Sequence, residues 1–159
     1  MTAPTDPTDV TDDATGAAHR PFTQPWADAL CAAISADAAY RDAGAAWTWP
    51  VALVLERAPD LGYPDDVAVE LALDRGACHG ATVVAADDAQ APIVLRAAYD
   101  VWKALAVGAL DPVAGVMGGR LRLARGSVMT LMANVRAATA LVSCARAVPT
   151  AFPDEAARR

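Results

Sequence analysis

The sequence predicts an α+β domain: a single, mostly antiparallel sheet layered by helices. Two changes of hydrophobic period carry that expectation. Over "DVAVELALDRG" (66–76), Val67, Val69, Leu71 and Leu73 alternate with Ala68, Glu70, Ala72 and Asp74, the two-residue period of a strand with one face on a core. From residue 98 the spacing widens. Ala98, Val101, Trp102, Leu105 and Ala109 lie on one helical face, as do Val128, Leu131, Met132, Val135, Ala138, Val142 and Ala145 further on. At 159 residues the chain suits one domain and can bury roughly two-thirds of its unfolded surface.

Residues 1–24, "MTAPTDPTDVTDDATGAAHRPFTQ", are rich in Thr, Asp and Pro; with so few large apolar side chains they are expected to form a disordered acidic tail. The folded part then covers 25–153 and is followed by a short tail, 154–159. Pro25 suits the first turn of a helix, and Trp26, Leu30, Ala33, Ile34 and Ala38 continue it as one amphipathic helix to about Asp42. "WTWPVALVLERAP" (47–59) is rich in β-branched and aromatic residues, and its Pro50 marks an edge strand or a strand start. A turn at 59–62 leads to the strand 66–76. Two shorter strands, 77–86 and 91–98, flank the turn-forming Asp87-Asp88-Ala89-Gln90. After the helix over 98–109, Asp111 and Pro112 supply an N-cap and a first-turn proline for a very short helix that Gly118 and Gly119 end. "RLRLARG" (120–126) alternates as a fifth strand, and one helix runs from Val128 to about Val148 with Pro149 beyond it.

Composition excludes several classes of function. The apolar share of 55% exceeds the usual 45 to 50% or so, although much of the excess is alanine. With 13 basic and 19 acidic residues the net charge is -6, the wrong sign for neutralising phosphates, so nucleic acid is not an expected partner. Cys31, Cys78 and Cys144 are odd in number and far apart; they read as small buried hydrophobes in a reducing compartment. The N-terminus lacks a signal-peptide pattern, and no uncharged apolar run reaches the roughly 18 residues of a membrane span, so a cytoplasmic protein without stable membrane insertion is expected. Of the two histidines, His19 falls in the expected tail and His79 follows Cys78. Neighbouring strand residues point to opposite faces, so the pair does not make a dyad. The acidic pairs Asp65-Asp66, Asp87-Asp88 and Asp154-Glu155 fall in predicted loops and read as solvated. No phosphate loop or dinucleotide fingerprint is present; no catalytic residue, metal or cofactor is expected.

The run "DVWKALAVGALDPVAGVMGGRLRLARGSVMTLM" (100–132) resembles the C-terminal half of sterol carrier protein type 2 domains. There a helix is followed by G-x-L-[DN]-P, a short apolar stretch, G-[KR]-[LIV]-[KR]-[LIV], a glycine and a closing helix. Gly108, Leu110, Asp111, Pro112, Gly119, Arg120, Leu121, Arg122, Leu123 and Gly126 stand at the matching places, and "VPTAFPDE" (148–155) is similar to the ending of some prokaryotic members. One departure is the two residues Ala124-Arg125 before Gly126, where members commonly have one; a bulge or register change follows from it. The resemblance, which extends more weakly over the first helix and the sheet, implies five strands enclosing an apolar tunnel for sterols, fatty acids, acyl thioesters or phospholipids. It implies a tunnel lining from Val101, Trp102, Leu105, Val113, Val116, Met117, Leu121, Leu123, Met129 and Met132. Singly, the methionines read as core; as a set, flexible thioethers suit a wall that repacks around guests. The function implied is non-enzymatic, low-specificity lipid binding or transfer, with a small hydrophobic ligand as partner, by a monomer or homodimer. An accessory or dimerisation module with a filled cavity is the alternative, and a lipid ester or thioester hydrolase a third.

Overall fold

The computed structural model of the chain describes residues 18–157, so residues 1–17 of the expected tail lie outside the described residues. Among the described residues, five strands form one sheet in the order β3-β2-β1-β4-β5: β1 (Val51–Leu55), β2 (Val67–Asp74), β3 (Ala77–Ala85), β4 (Ile93–Ala97) and β5 (Arg122–Arg125). All neighbours are antiparallel except β1 and β4, which run parallel in the register Val51↔Ile93 to Leu55↔Ala97. Strand β1 is therefore central and buried along its whole length. Pro50 stands just before it, so of the two readings of that proline the strand start holds and the edge strand does not.

Central position gives β1 two buried faces. Val51, Leu53 and Leu55 join the main core, whereas Ala52 and Val54 join a second cluster with Ala68, Ala89, Ala91 and Val94. That second cluster exists because a parallel pair needs a crossover. The connection 86–92 lies across the outer face, over alanines small enough to let backbone approach. Glu70 holds it from one side, its Oε2 accepting from the N–H groups of Gln90 (2.5 Å) and Ala91 (2.7 Å). Arg125 holds it from the other, donating to the carbonyls of Ala89 and Ala91.

The helices cover the inner face: α1 (Gln24–Ala36), α2 (Ala38–Ala43), α3 (Tyr99–Ala106), α4 (Pro112–Met117), α5 (Val128–Ala133), α6 (Val135–Ala147) and α7 (Pro153–Ala157). Two expected helices are each divided. Asp37 leaves helical geometry and its carboxylate accepts from Ala39 N–H (2.8 Å) and Tyr40 N–H (3.3 Å), capping α2. Asn134 likewise departs from the helix, its amide donating to the Thr130 carbonyl at 2.8 Å, and separates α5 from α6. Both residues offer a side chain that competes for backbone groups, which periodicity does not register.

The folded region also reaches beyond 25–153 at both ends. Pro21 and Phe22 are buried, the backbones of His19 and Thr150 pair, and Arg20 donates to the Leu61 carbonyl. At the other end Asp154 and Glu155 sit in α7 and pair with Lys103, so they are neither tail nor merely solvated. Asp66 also departs from that expectation: Arg96 binds it at 2.8 Å and this contact, first, holds its carboxyl below the usual range.

The chain turns from β2 to β3 through Arg75 and Gly76 alone, both at positive φ (51° and 85°), the conformation of a tight type I′ hairpin. At β5 the register slips between Val94↔Arg125 and Leu95↔Leu123. This is the irregularity that the extra residue before Gly126 implied. Gly126, at φ 108°, closes it, and a Cβ there would sit 3.2 Å from Ile93.

The cysteine expectation is corrected. Cys31 on α1 and Cys78 on β3 form a disulfide with Cα atoms 5.4 Å apart, and Cys144 alone is free and buried. Sequence distance concealed the pair because the sheet brings residue 78 back against the first helix. The bond removes the ground on which a reducing compartment was expected. Between its two ends the same helix seals the β3 edge: the Gln24 amide donates to the Ala81 carbonyl and accepts from Val83 N–H, and the Ser35 hydroxyl does the same at Cys78.

Closing a loop of 47 residues restricts the unfolded chain by about 4 kcal/mol. Reduction, or the double change Cys31→Ser and Cys78→Ser, is expected to lower unfolding stability by about 2 to 4 kcal/mol in urea titrations; an unchanged midpoint would show that the bond contributes nothing.

Candidate functional site

Between the inner face of the sheet and the helices lies a cavity of about 100 Å³. Its floor is sheet, Val51 and Leu53 of β1, Leu73 of β2, Ile93 and Leu95 of β4, with Leu121 just before β5 beside it. They face it because strand side chains alternate and these are the inward set. The walls come from Trp26 and Leu30 of α1, Trp102 and Leu105 of α3, Pro112, Val113 and Val116 of α4, Leu131 and Met132 of α5, and Val135, Ala138 and Leu141 of α6.

The local sequence explains how the short α4 wall is held. Asp111 caps α4, its Oδ2 accepting from Ala114 N–H at 3.1 Å, and Pro112 fits the first turn. Gly115 is buried with Leu121 and Leu110 at contact distance from where a Cβ would stand, so α4 lies close against the chain entering β5. Gly118 and Gly119 then turn the backbone out of the helix.

Three indoles line the cavity, and none offers it a hydrogen-bond donor. Trp26 Nε1–H donates to Thr150 Oγ1 (3.1 Å), Trp47 to the Trp49 carbonyl (2.6 Å) and Trp102 to the Val54 carbonyl (2.9 Å). Thr150 directs its own proton to the Val148 carbonyl. Each ring thus presents its apolar body to the cavity while its polar tip is satisfied elsewhere. Burial pushes the lining Tyr40 up to about 12, which keeps that phenol neutral. Among the described residues, Lys103 is the single charged residue on the lining.

Lys103 stands at one end. Its Nζ donates to Asp154 Oδ2 and Glu155 Oε2, each at 2.8 Å, and lies 5.2 Å from the centre of the Phe152 ring. Tyr99 adds a hydroxyl donated to Asp154 Oδ1 at 2.6 Å. The hydrogen bonds to Asp154 and then Glu155 hold Lys103 above the usual lysine value, and Lys103 followed by Tyr99 holds Asp154 below the usual carboxylate value. Burial and then Asp154 push Tyr99 upward.

Of the residues expected to line a tunnel, Trp102, Leu105, Val113, Val116, Leu121 and Met132 border the cavity. Val101 packs instead with Ala97, Leu105 and Leu121, and Leu123 packs against the main core. Met117 and Met129 point to solvent, 73% and 80% exposed; Met117 is the last residue of α4 and Met129 lies in the first turn of α5. Lining residues absent from the sequence reading include Phe22, Trp26, Tyr40, Trp47 and Phe152. Phe22 and Phe152 were legible as the large apolar residues beside the chain-end prolines; nothing local marks the others as facing a void rather than packed core. The Cys78 sulfur is committed to Cys31 and His79 is exposed. Among the described residues no cluster of His, Cys, Asp and Glu could hold a metal ion, and no helix is long and apolar enough to cross a membrane.

Family models give no match to the sequence, and no curated protein matches it. Solved structures do. A crystal structure of sterol carrier protein 2 superposes with a TM-score of 0.78 at 37% identity, over 81% of this chain and 99% of that one. The solution structure of a conserved hypothetical protein from Thermus thermophilus, described as a candidate sterol carrier protein, gives 0.76 at 37% identity, over 82% and 90%. The apo form of sterol carrier protein 2 from Yarrowia lipolytica shares the fold at a TM-score of 0.52 and 16% identity, over 79% and 93%.

Asp154 has a lower pKa folded than its ordinary 3.8, so the stability it contributes is complete above that value and is lost as pH falls through the folded value. Asp154→Asn is expected to cost about 1 kcal/mol near neutral pH. Thermal unfolding of both proteins down to about pH 3 should show the difference shrinking; a constant difference would remove ionisation as its cause.

Proposed function

The chain belongs to the sterol carrier protein 2 family, and from that premise we propose that it is a non-enzymatic lipid carrier, taking sterols, fatty acids, acyl thioesters or phospholipids with low selectivity into an apolar tunnel. The supporting observation is the cavity whose wall carries one charged residue and three indoles with their N–H groups turned away. Trp102, Leu105, Val113, Val116, Leu121 and Met132 are the ligand contacts proposed from it.

Size bounds the guest. About 100 Å³ is about two-thirds of an engineered void that takes one benzene, and at about 30 Å³ per water or methylene it seats an alkyl segment of about three carbons. At about 0.8 kcal/mol per methylene the gross gain is about 2 to 3 kcal/mol, less than the cost of about 4 kcal/mol in lost translation and rotation, so a longer chain is needed for binding. About fifteen methylenes give about 12 kcal/mol gross and a micromolar complex, and seating them requires a wall to move outward. Helices α4 and α5 suit that movement: each has six residues. Low selectivity follows, since area and not hydrogen bonding supplies the affinity.

An unfilled cavity favours the carrier over an accessory module with a packed interior. A hydrolase reading that used Cys78 as its nucleophile is disfavoured, since that sulfur is bonded to Cys31.

Two measurements test the carrier reading. Native mass spectrometry after mild extraction is expected to show lipid adducts, and Nile red is expected to bind and be displaced by fatty acid; no adduct and no displacement would sink the proposal. Filling the void with Ala138→Leu, on the cavity side of α6, is expected to weaken fatty-acid binding about tenfold or more while leaving the midpoint of thermal unfolding equal or higher. Unchanged affinity would place the lipid elsewhere.

A further inference from the structure

Lys103, the one cation of the lining among the described residues, is already engaged by two carboxylates of the chain's own last described helix, and the two are not held alike. Asp154 is mostly buried, 23% exposed, and accepts from Tyr99 as well as from Lys103. Glu155 is half exposed, and Lys103 is the one partner seen for its carboxylate among the described residues. Phe152 lines the cavity and its ring centre lies 5.2 Å from the Lys103 Nζ, so apolar wall reaches the ammonium.

We infer that this end of the cavity is a head-group site for a long-chain carboxylate, whose carboxylate takes the place that Glu155 occupies on Lys103 while its alkyl chain lies along the apolar lining. The inference rests on the lipid-carrier reading and adds a charge preference to it. The exchange keeps the charge count at the ammonium, since one carboxylate leaves as another arrives, and Asp154 stays in place under Tyr99. Glu155 then returns to water, from which it is only half withdrawn. A neutral lipid of equal length gains the same apolar burial and nothing at Lys103, because the indole donors of the wall are engaged elsewhere. The two carboxylates at 2.8 Å from one Nζ show that the site accommodates the number of anionic oxygens the complex needs.

The test compares dodecanoate with dodecan-1-ol as displacers of Nile red from the full chain. Lys103→Gln is expected to weaken dodecanoate by about fivefold or more, the worth of one charge-assisted contact, with dodecan-1-ol within about twofold of the unaltered protein. Glu155→Gln, at a half-exposed position where folding is not at stake, is expected to tighten dodecanoate by about two- to threefold by removing its competitor, again without effect on the alcohol. The inference is overturned if Lys103→Gln shifts acid and alcohol alike or neither, or if Glu155→Gln leaves dodecanoate unchanged or weaker. Failure of both ligands to displace the dye from the unaltered chain is a different result: it overturns lipid binding itself.

Discussion

The structure depends on keeping an apolar void open at the centre of a small domain. A void forfeits the dispersion contacts its lining atoms would otherwise make, and at about 24 cal/mol per Å³ one of 100 Å³ costs about 2 to 3 kcal/mol. The rest of the fold is arranged so that this loss is tolerable and no polar group is stranded beside it. Indole N–H groups are satisfied by protein acceptors on Thr150, Trp49 and Val54, and the crossover on the outer face gives β1 a second buried surface of alanine and valine. A guest that fills the space restores the missing contacts, so binding and stability are coupled by the same vacancy.

The sheet was the most legible part of the sequence, because a half-buried strand leaves its two-residue period in the chain. The alternation over 66–76 and the turn residues at 87–90 locate β2, β3 and β4 within a few positions. The departure at Ala124-Arg125 pointed to a bulge, and β5 carries one. Parallel pairing of β1 with β4 was not legible, since a parallel neighbour and an antiparallel one impose the same side-chain period. The divided helices escape the sequence for a related reason. Asp37 and Asn134 act through local side-chain hydrogen bonds, and the apolar stripe on either side continues past them undisturbed.

The cavity was legible only through resemblance. Helical stripes name the residues that face inward, but whether inward means another side chain or empty space depends on the separation of layers, to which no single stripe testifies. Met117 and Met129 show the limit from the other side: both lie close to buried neighbours in sequence, and both end in solvent, Met117 at the close of α4 and Met129 in the first turn of α5. Lys103 reads in the sequence as no more than an interruption of an apolar run, although its place on α3 makes it the one charged residue of the lining among the described residues.

The side chains that tie α1 to β3 have a further consequence. An outer strand ordinarily offers its free amides and carbonyls to any other extended chain, the first step of strand-by-strand aggregation. Here Gln24 and Ser35 each occupy both a donor and an acceptor of β3. They imitate a neighbouring strand without being one, and the disulfide between them keeps the imitation in place. The opposite edge, β5, is four residues long, interrupted by its bulge, and begins and ends with an arginine, Arg122 and Arg125. The sheet is thus terminated at both margins, so neither edge offers an open row of backbone groups on which a second extended chain could pair.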